Sequence, residues 1–250
     1  MTYISDQKKI RKKILELTHK SNSAHVASNL SIVDILLVVY KNFVKKKNKN
    51  EFILSKGHAC LSYYVILNFF GYISDKKLKT FGKNNTELMS HISHKVPGVV
   101  FSTGSLGHGL PFSVGKAFIN KKKKFYCLIS DGEINEGSNW EAFMFTCHHK
   151  LLNLKVIIDC NKIQSLDYVK NVINLEPLEN KFKSLGFYVS RINGHDHNKL
   201  KNTLKMKTKK PHVIIADTIK GKGVKFMENS VLWHYKPPNK VQLTEAIKKL

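Results

Sequence analysis

The sequence predicts an α/β fold, a doubly wound parallel sheet with helices on both faces. Short apolar runs typical of buried strands alternate with longer helical patterns along the 250 residues. The clearest unit has strands predicted at residues 125–129 and 156–158, with a helix predicted over residues 138–152 between them. No internal repeat or low-complexity linker divides the chain. We therefore expect a single domain over residues 1–250, with an N-terminal helical segment over about residues 1–50.

The remaining elements follow from the same patterns in chain order. Helices are predicted over residues 7–19, 32–44, 58–70 and 106–119, and a short strand is predicted at 52–54. Ser31 is the expected N-cap of the second helix, and Gly71 the expected end of the third. Further along, helices are predicted over 178–185, 198–206 and 241–250, and strands at 187–189 and 212–216. Residues 75–94 are expected to form a surface loop near the site.

Polar residues follow the two central strands where each strand ends. Asp131 and Gly132 come after the first strand, and Asn161 comes after the second. Ligands of open α/β sheets bind at this edge. A carboxylate, an amide oxygen and a backbone carbonyl, for which Ile163 is the candidate, suit Mg²⁺, with Ca²⁺ or Mn²⁺ as substitutes. The alternative interpretation is a surface turn and a helix cap, where single Asp-Gly and Asn residues usually occur.

Two further features would favour a phosphate at this edge. Gly132 has no Cβ, so its backbone can approach a phosphate closely. A helix that opens near Gly137 would add unpaired N–H groups and the positive end of its dipole. The pattern therefore predicts a site for Mg²⁺ and a diphosphate.

Several short segments carry a resemblance to a known family. Asp131-Gly132 followed by Asn161 is similar to the thiamine diphosphate signature. The other segments, in chain order, are AHVASNLS (24–31), ILSKGHA (53–59), PGV with STGSLGHG (97–109), EG with WEA (136–142), DCNKIQ (159–164) and TIKGKG with MEN and WH (218–234). In this order they resemble the amino-terminal, diphosphate-binding half of the transketolase family, which implies the thiamine diphosphate-binding fold.

The resemblance implies roles for individual residues. His25, His58 and His91 would face the reaction centre and the substrate hydroxyls, with His94 as an alternative to His91. The cofactor contacts implied are His58, Gly104, Leu106, Gly132, Glu133, Asn161 and His234. The metal ligands implied are Asp131, Asn161 and Ile163. Glu136 resembles the family glutamate that hydrogen-bonds across the dimer to its counterpart, and it completes the catalytic set with the three histidines.

The resemblance also implies an activity and a partner. The activity is thiamine diphosphate-dependent transfer of a two-carbon ketol unit from a ketose to an aldose, with sugars or sugar phosphates as substrates. In the family the activating glutamate comes from the pyrimidine-binding domain. The expected partner is therefore a separately encoded pyrimidine-domain subunit, and the expected assembly is α₂β₂. The alternatives are another thiamine diphosphate enzyme subunit, of the 2-oxo acid dehydrogenase or decarboxylase type, and a non-catalytic cofactor-binding partner.

The chain departs from the family pattern beside the predicted site. Larger residues replace small ones usual in the family at Ala24, Ala27, Ser130 and Tyr235, and Ser90 and Ile92 flank His91 where Gly and Pro are usual. The added bulk either adapts the pocket to an unusual ketose or marks a decayed site. Because Asp131, Gly132, Glu136 and Asn161 are all present, we favour an active enzyme.

Composition narrows the function class. The net charge is +24, but the lysines are spread along the chain and not interleaved with aromatic residues, so nucleic acid is not an expected partner. Four cysteines without C-x-x-C spacing are expected to be reduced core thiols. No run is long enough for a transmembrane helix, and the first 20 residues lack the apolar centre of a signal peptide. We therefore expect a cytoplasmic protein.

Overall fold

A parallel five-stranded sheet forms the centre of the protein. The computed structural model describes residues 2–46, 50–165 and 167–250. The strands lie in the order β1-β2-β3-β5-β4. Their bounds are β1 (Glu51–Leu54), β2 (Phe125–Ser130), β3 (Leu154–Cys160), β4 (Tyr188–Asn193) and β5 (His212–Asp217). The predicted α/β class with a parallel sheet is confirmed.

Helices connect the strands and cover both faces of the sheet. The longer helices are α1 (Tyr3–Ser21), α2 (Val26–Ser31), α3 (Val33–Asn42), α4 (Cys60–Phe69), α6 (Gly109–Ile119), α7 (Gly137–His148), α9 (Leu178–Ser184), α10 (His197–Lys205) and α11 (Lys240–Lys249). Two single-turn helices are α5 (Asp75–Leu78) and α8 (Val169–Val172). Short 3₁₀ turns lie at Gly57–Ala59, Gly132–Asn135 and Val231–His234.

Alternate residues of each strand point into two separate cores. In β3, Ile157 packs with α1 to α4 and α10 on one face, whereas Val156 and Ile158 pack with α6, α7 and α9 on the other. A strand buried on both faces has no polar face, which is why β2 and β3 are almost continuous runs of apolar residues. This double packing fixes the register of the strands and therefore the positions of the residues that follow them.

The register brings the ends of β2 and β3 to the same level. Ser130 is opposite Asp159, and the N–H of Asp131 donates to the carbonyl of Asp159 at 3.3 Å. The residues that follow the two strands, Asp131 and Asn161, therefore come together at the carboxyl edge of the sheet, as the sequence predicts.

Several predicted element ends are wrong for identifiable reasons. Ser31 is not an N-cap, since it ends α2 and its hydroxyl donates to Asp159 at 2.8 Å. The helix predicted from residue 106 begins at Gly109, because Gly107 has a positive φ of 80°. The helix predicted to residue 152 ends at His148, and Lys150 follows with a positive φ of 48°. The predicted loop 75–94 contains α5 and packs buried side chains such as Leu88.

The state of the cysteines and the character of the helices can be compared with the expectations from composition. All four cysteines are free thiols; Cys60, Cys127 and Cys160 are buried and Cys147 is half-buried. No helix in the described parts of the chain combines the length and the apolar character needed to cross a membrane.

Candidate functional site

Asp131 lies directly after β2 and is almost fully buried. Its Oδ1 accepts the N–H of Gly132 at 2.8 Å, and its Oδ2 accepts the N–H of Lys162 at 2.5 Å. Asn161 lies beside it, with its Oδ1 accepting the N–H of Ile163 at 3.1 Å. The three predicted metal ligands therefore belong to one hydrogen-bonded corner formed by the ends of β2 and β3.

A second buried carboxylate, that of Asp159, is hydrogen-bonded to Asn161 in this corner. Its Oδ2 accepts hydrogen bonds from Lys56 Nζ at 2.5 Å, from Ser31 Oγ at 2.8 Å and from Asn161 Nδ2 at 2.8 Å. Its Oδ1 accepts the hydroxyl of Thr218. Because Asn161 donates to Asp159, its amide oxygen is the atom directed to other partners, which is the orientation that a metal ligand requires.

The two aspartates have opposite electrostatic environments. Burial, together with the charge of Asp159, raises the pKa of Asp131 to about 7. Burial also opposes ionisation of Asp159, but the charge of Lys56 and the hydrogen bonds hold its pKa below the usual value. A buried carboxylate with a raised pKa is stabilised by a nearby cation, because the cation favours the ionised form.

Four predicted histidines form a cluster beside this corner. The ring centroid of His25 lies 5.2 Å from that of His58, 6.0 Å from that of His91 and 4.9 Å from that of His234. The residues come from four distant parts of the chain: the start of α2, the 3₁₀ turn before α4, the 75–94 segment and the last 3₁₀ turn. Gly57, next to His58, lets the backbone of Thr103 pack against this turn, since a Cβ on it would lie 2.2 Å from the carbonyl oxygen of Thr103.

His25 is held in an unusual backbone conformation. Its φ is 68°, in the left-handed region, where residues with a Cβ are uncommon. Its N–H donates to the carbonyl of His234 at 2.7 Å, and its own carbonyl accepts from the N–H of Asn29 at 3.0 Å. Its buried Nδ1 has no hydrogen-bond partner within the described ranges. Such strain and an unpaired buried nitrogen are typical of a binding or catalytic position.

The environment keeps three of these imidazoles neutral near pH 7. Burial, with the charges of His91 and Lys220, lowers the pKa of His25 to about 4. Burial and Lys56 lower the pKa of His58 well below its usual value, and burial and Lys220 lower that of His234 to about 3. A neutral imidazole can accept a proton or a hydrogen bond from a substrate hydroxyl.

A cavity of about 190 Å³ collects most of the predicted site residues. The predicted residues that line it are His25, His58, His91, Gly104, Leu106, Gly132, Asn161, Ile163 and His234. A neighbouring cavity of about 560 Å³ is lined by Asp131, and Asn161 and Ile163 line both cavities. The corner formed by Asp131, Asn161 and Ile163 therefore lies between the two cavities.

Glu133 and Glu136 are the two predicted residues that line neither cavity. The carboxylate of Glu133 is fully buried and accepts from Ser55 Oγ at 2.5 Å and from the N–H of Gly107 at 3.0 Å. Glu136 is exposed, immediately before α7 and against Gly107. Glu133 thus joins the loop after β1 to the turn before α6, whereas Glu136 is accessible to another chain.

Two other sequence-based alternatives can be placed. His94 is exposed and bonds to Ser102, with 2.7 Å between its Nδ1 and the hydroxyl oxygen, so His91 is the histidine within the cluster. The opening of α7 at Gly137 is not at the cavity, because the 3₁₀ turn Gly132–Asn135 intervenes and Ser138 bonds to Gly107. The N–H groups nearest Asp131 come from Gly132 and Lys162 instead.

Two buried lysines at the site are absent from the sequence-based set. Lys56 and Lys220 are 0% and 1% exposed, and both line the cavity with the histidines. Lys220 Nζ donates to the carbonyl of Ile163 at 2.9 Å and to His234 Nδ1 at 2.7 Å. Burial and Lys56 lower the pKa of Lys220 to about 7. Both lie within family-like motifs, but 42 Lys and Arg residues in the chain conceal individual lysines of this kind.

The residues present fit a metal-bound diphosphate. The described residues include no group of three His, Cys, Asp or Glu that could hold a metal by themselves. A cation here would need the carboxylate of Asp131 together with amide and carbonyl oxygens, and hard oxygen donors of this kind suit Mg²⁺. Lys220 lines the cavity beside the same corner, and its ammonium group favours an anionic group there, whereas the charge of Lys56 is paired with Asp159.

Comparison with known proteins defines the class. A family model described as "Transketolase, thiamine diphosphate binding domain" matches residues 5–249. The fold agrees: the crystal structure of transketolase from Campylobacter jejuni superimposes with a TM-score of 0.93 at 31% identity, covering 99% of this chain and 42% of that chain. The protein is therefore a thiamine diphosphate-binding α/β protein.

The relatives identify the family. The chain is 38% identical to a subunit of apulose-4-phosphate transketolase from Actinobacillus succinogenes, with 97% of this chain and 94% of that protein covered. It is 34% identical to a 6-deoxy-6-sulfo-D-fructose transketolase subunit from Clostridium sp., covering 90% and 87%. It spans only 41% of human transketolase, at 29% identity. The chain belongs to the transketolase family, and the sequence-based identification of a thiamine diphosphate-dependent transketolase is confirmed at this level.

Proposed function

We propose that this chain is the diphosphate-binding subunit of a split transketolase, which transfers a two-carbon ketol unit from a ketose to an aldose. The observation that carries the proposal is the position of the histidine cluster, next to the corner formed by Asp131 and Asn161. A cofactor anchored by its diphosphate at that corner would present its reactive ring to neutral histidines. Relatives of nearly the same length are named as transketolase subunits, which supports a separate partner chain.

The metal and the diphosphate are assigned to separate groups of this chain. Asp131, Asn161 and the carbonyl of Ile163 would hold Mg²⁺, as hard oxygen donors. Lys220 and His234 lie at the same corner, where their N–H groups can donate to diphosphate oxygens. When bound, thiamine diphosphate supplies the electron sink for breaking a carbon–carbon bond. The protein supplies the charge balance and the fixed orientation.

The histidines are assigned to proton handling at the substrate. His25 and His58 have lowered pKa values, so each is neutral at pH 7 and can accept a hydrogen bond from a substrate hydroxyl. His25 lines the cavity with the other histidines, so its ring can meet a substrate there. His91 is exposed at the rim of the cavity, where a proton can be exchanged with solvent or with an acceptor sugar.

The substrates are proposed to be sugars or sugar phosphates. Tyr235, which stands where the family usually has glycine, is 54% exposed, and its ring centroid lies 5.6 Å from that of His25. An aromatic ring in this position narrows the approach to His25. We therefore expect Tyr235 to restrict which ketoses can enter.

The assembly is proposed to be α₂β₂ with a pyrimidine-domain subunit that provides the activating glutamate. Helices α6 and α7 expose large apolar side chains, including Phe118 at 42%, Ile119 at 78% and Met144 at 53%. Adjacent exposed apolar groups favour burial against another chain. Glu136 is exposed at the start of α7, in agreement with a role across an interface. The four free thiols agree with a reducing compartment, so we assign the complex to the cytoplasm.

Reconstitution tests the proposal. The chain would be purified alone and together with the pyrimidine-domain subunit, and ketol transfer would be measured with Mg²⁺ and thiamine diphosphate. We expect activity only in the mixture, with a rise in thermal stability on assembly. Oxidation or simple decarboxylation of a 2-oxo acid by the mixture would favour the alternative enzyme classes. Cofactor binding without any turnover would favour a non-catalytic partner.

A further inference from the structure

A second buried carboxylate cluster lies outside the cofactor cavity, at the start of α3. Asp34 is 1% exposed and accepts three charged or polar donors: Arg11 Nη2 at 2.6 Å, His195 Nδ1 at 2.7 Å and His197 Nε2 at 2.8 Å. Burial alone would raise the pKa of Asp34, but the hydrogen bonds from His195, His197 and Arg11 hold it well below its usual range. Asp34 is therefore an ionised anchor.

Two members of this cluster reach the turn that carries Lys220. The N–H of Ile219 donates to His195 Nε2 at 2.9 Å. The other ring nitrogen of His195 must then carry the proton and donate to Asp34. Arg11 donates through its Nε to the carbonyl of Lys222 at 3.0 Å. The backbone is thus tied to one carboxylate on both sides of Lys220.

The turn itself leaves Lys220 little freedom. Gly221 has a φ of 82°, and a Cβ on it would lie 2.4 Å from the carbonyl oxygen of Met227. Its N–H donates to the carbonyl of Ala27 at 3.0 Å. Lys220 extends from this turn into the cavity, where its Nζ contacts Ile163 and His234. A shift of residues 219–222 would therefore move the ammonium group relative to the metal corner.

We propose that Asp34 is a positioning residue, which fixes the turn 219–222 through His195 and Arg11 and so places the Lys220 ammonium where the diphosphate binds. The consequence for the cofactor rests on the proposed function, whereas the fixing of the turn does not. A long lysine side chain loses much rotamer entropy when it is held in one place. If the backbone of the turn is already fixed before the cofactor arrives, less of this entropy is lost during cofactor binding.

His197 provides a matched control within the same cluster. It donates to Asp34, as His195 does, and its ring stacks on Tyr3 with 4.6 Å between centroids. Its bonds in the described structure reach neither Ile219 nor Lys222. His195→Ala and His197→Ala therefore each remove one hydrogen bond to Asp34, and only the first releases the turn.

The first experiment measures the turn without any cofactor. Amide hydrogen exchange would be followed for residues 219–222 in the full chain, wild type and variants. We expect His195→Ala to speed exchange of the Ile219 amide by about 10-fold or more, as for loss of one buried hydrogen bond. His197→Ala should leave that rate unchanged at a similar loss of thermal stability. Equal rates in the two variants would overturn the proposal.

The second experiment measures the consequence in the assembled complex. Calorimetry with Mg²⁺ and thiamine diphosphate should show about 10-fold weaker binding for His195→Ala than for His197→Ala. A ratio of this size is about what the loss of one hydrogen bond produces. The kcat at saturating cofactor should change much less than the affinity. His195→Gln, which can accept from Ile219 and donate to Asp34, should restore part of the affinity. Unchanged affinity in His195→Ala would contradict the proposal.

A second variant covers the case in which His195→Ala does not fold. Arg11→Lys keeps a positive charge near Asp34 but removes the Nε donor to Lys222, so it should also speed exchange at residues 219–222. If exchange in that variant is unchanged, the proposal is wrong. Failure of the wild-type complex to bind thiamine diphosphate would contradict the proposed function instead, and the exchange rates alone would then decide whether the cluster around Asp34 fixes the turn.

Discussion

Asp131 directly follows β2, and Asp159 is the last residue but one of the neighbouring strand β3. Both are buried, yet their surroundings differ. Asp159 accepts side-chain hydrogen bonds from Lys56, Ser31, Asn161 and Thr218. For Asp131 the described partners are two backbone N–H groups, those of Gly132 and Lys162. The pKa of Asp159 is lowered, whereas that of Asp131 is raised to about 7.

The difference supports a structural role for Asp159 and the proposed binding role for Asp131. The chain balances the charge of Asp159 with a buried lysine, so the ion pair is complete in the folded protein. The charge of Asp131 is not balanced by a direct ion pair among the described residues. A buried carboxylate of the second kind favours a cation, and such perturbed groups concentrate at functional sites.

Replacing Asp131 should produce the largest effect. Asp131→Ala removes the only charged protein ligand proposed for Mg²⁺, so binding of thiamine diphosphate should be abolished in the assembled complex. Asn161→Ala should act in the same direction but more weakly, because a neutral ligand contributes less. Calorimetry in the presence of Mg²⁺ measures both. Unchanged affinity for Asp131→Ala would refute the metal assignment.

Breaking the Asp159 pair should instead reduce stability. Lys56→Met leaves a buried carboxylate without its cation and should lower the free energy of unfolding by about 3–5 kcal/mol. Urea unfolding of the cofactor-free chain measures this. Asp131→Ala is the control and should lose much less, since it removes a buried charge that lacks a direct ion-pair partner. If both variants lose the same amount, the contrast between the two aspartates is wrong.

The histidine cluster should affect turnover rather than anchoring. His58→Ala should lower kcat by about 10²-fold or more if its imidazole transfers a proton. The affinity for thiamine diphosphate should change less, because the proposed anchors lie at Asp131 and Lys220. Steady-state kinetics at saturating cofactor tests this, and a wild-type rate would exclude a catalytic role for His58.

The pH dependence of stability should give the smallest effect, with opposite signs at the two aspartates. Asp131 has a native pKa of about 7 against an ordinary value of 3.8, so the folded state binds more protons within that window. Its contribution to stability therefore falls as pH rises from about 4 to about 7. The lowered pKa of Asp159 acts oppositely, and its contribution is lost as pH falls below the ordinary value.

Comparison with Asp131→Asn isolates this contribution. His25 has a lowered pKa and titrates in an overlapping range, so the wild-type profile alone combines several groups. The free energy of unfolding of the Asp131→Asn variant, minus that of the wild type, should grow with pH between about 4 and 7 in the cofactor-free chain. Denaturant unfolding at several pH values measures it. A constant difference would show that Asp131 ionises normally.

The sequence predicted the elements that periodic patterns specify. The apolar runs of β2 and β3 indicated their positions, and the carboxyl edge of a parallel sheet predicted that Asp131 would meet Asn161. The motifs resembling transketolase indicated the four histidines, which no local pattern could bring together, because they lie on separate segments. The short helices α5 and α8 were missed, since a single turn has no measurable period.

Contacts between distant residues could not be predicted. Serine is a residue type that often caps helices, but the hydroxyl of Ser31 donates to Asp159, 128 residues away. Lys56 and Lys220 resemble every other lysine in a highly basic chain until the fold buries them. Glu133 follows the signature directly, yet its carboxylate turns to Ser55 and Gly107. In each case tertiary packing, and not local propensity, decides the partner.

The titration of Asp131 itself tests the central claim most directly. ¹³C NMR of aspartate carboxyls, assigned with Asp131→Asn and Asp159→Asn, would follow both groups in the assembled complex. Without cation or cofactor, Asp131 should titrate near pH 7 while Asp159 stays ionised. With Mg²⁺ and thiamine diphosphate bound, Asp131 should remain ionised across the same range. An Asp131 that is ionised at pH 5 without a cation, or that still titrates near pH 7 with both bound, would contradict the account.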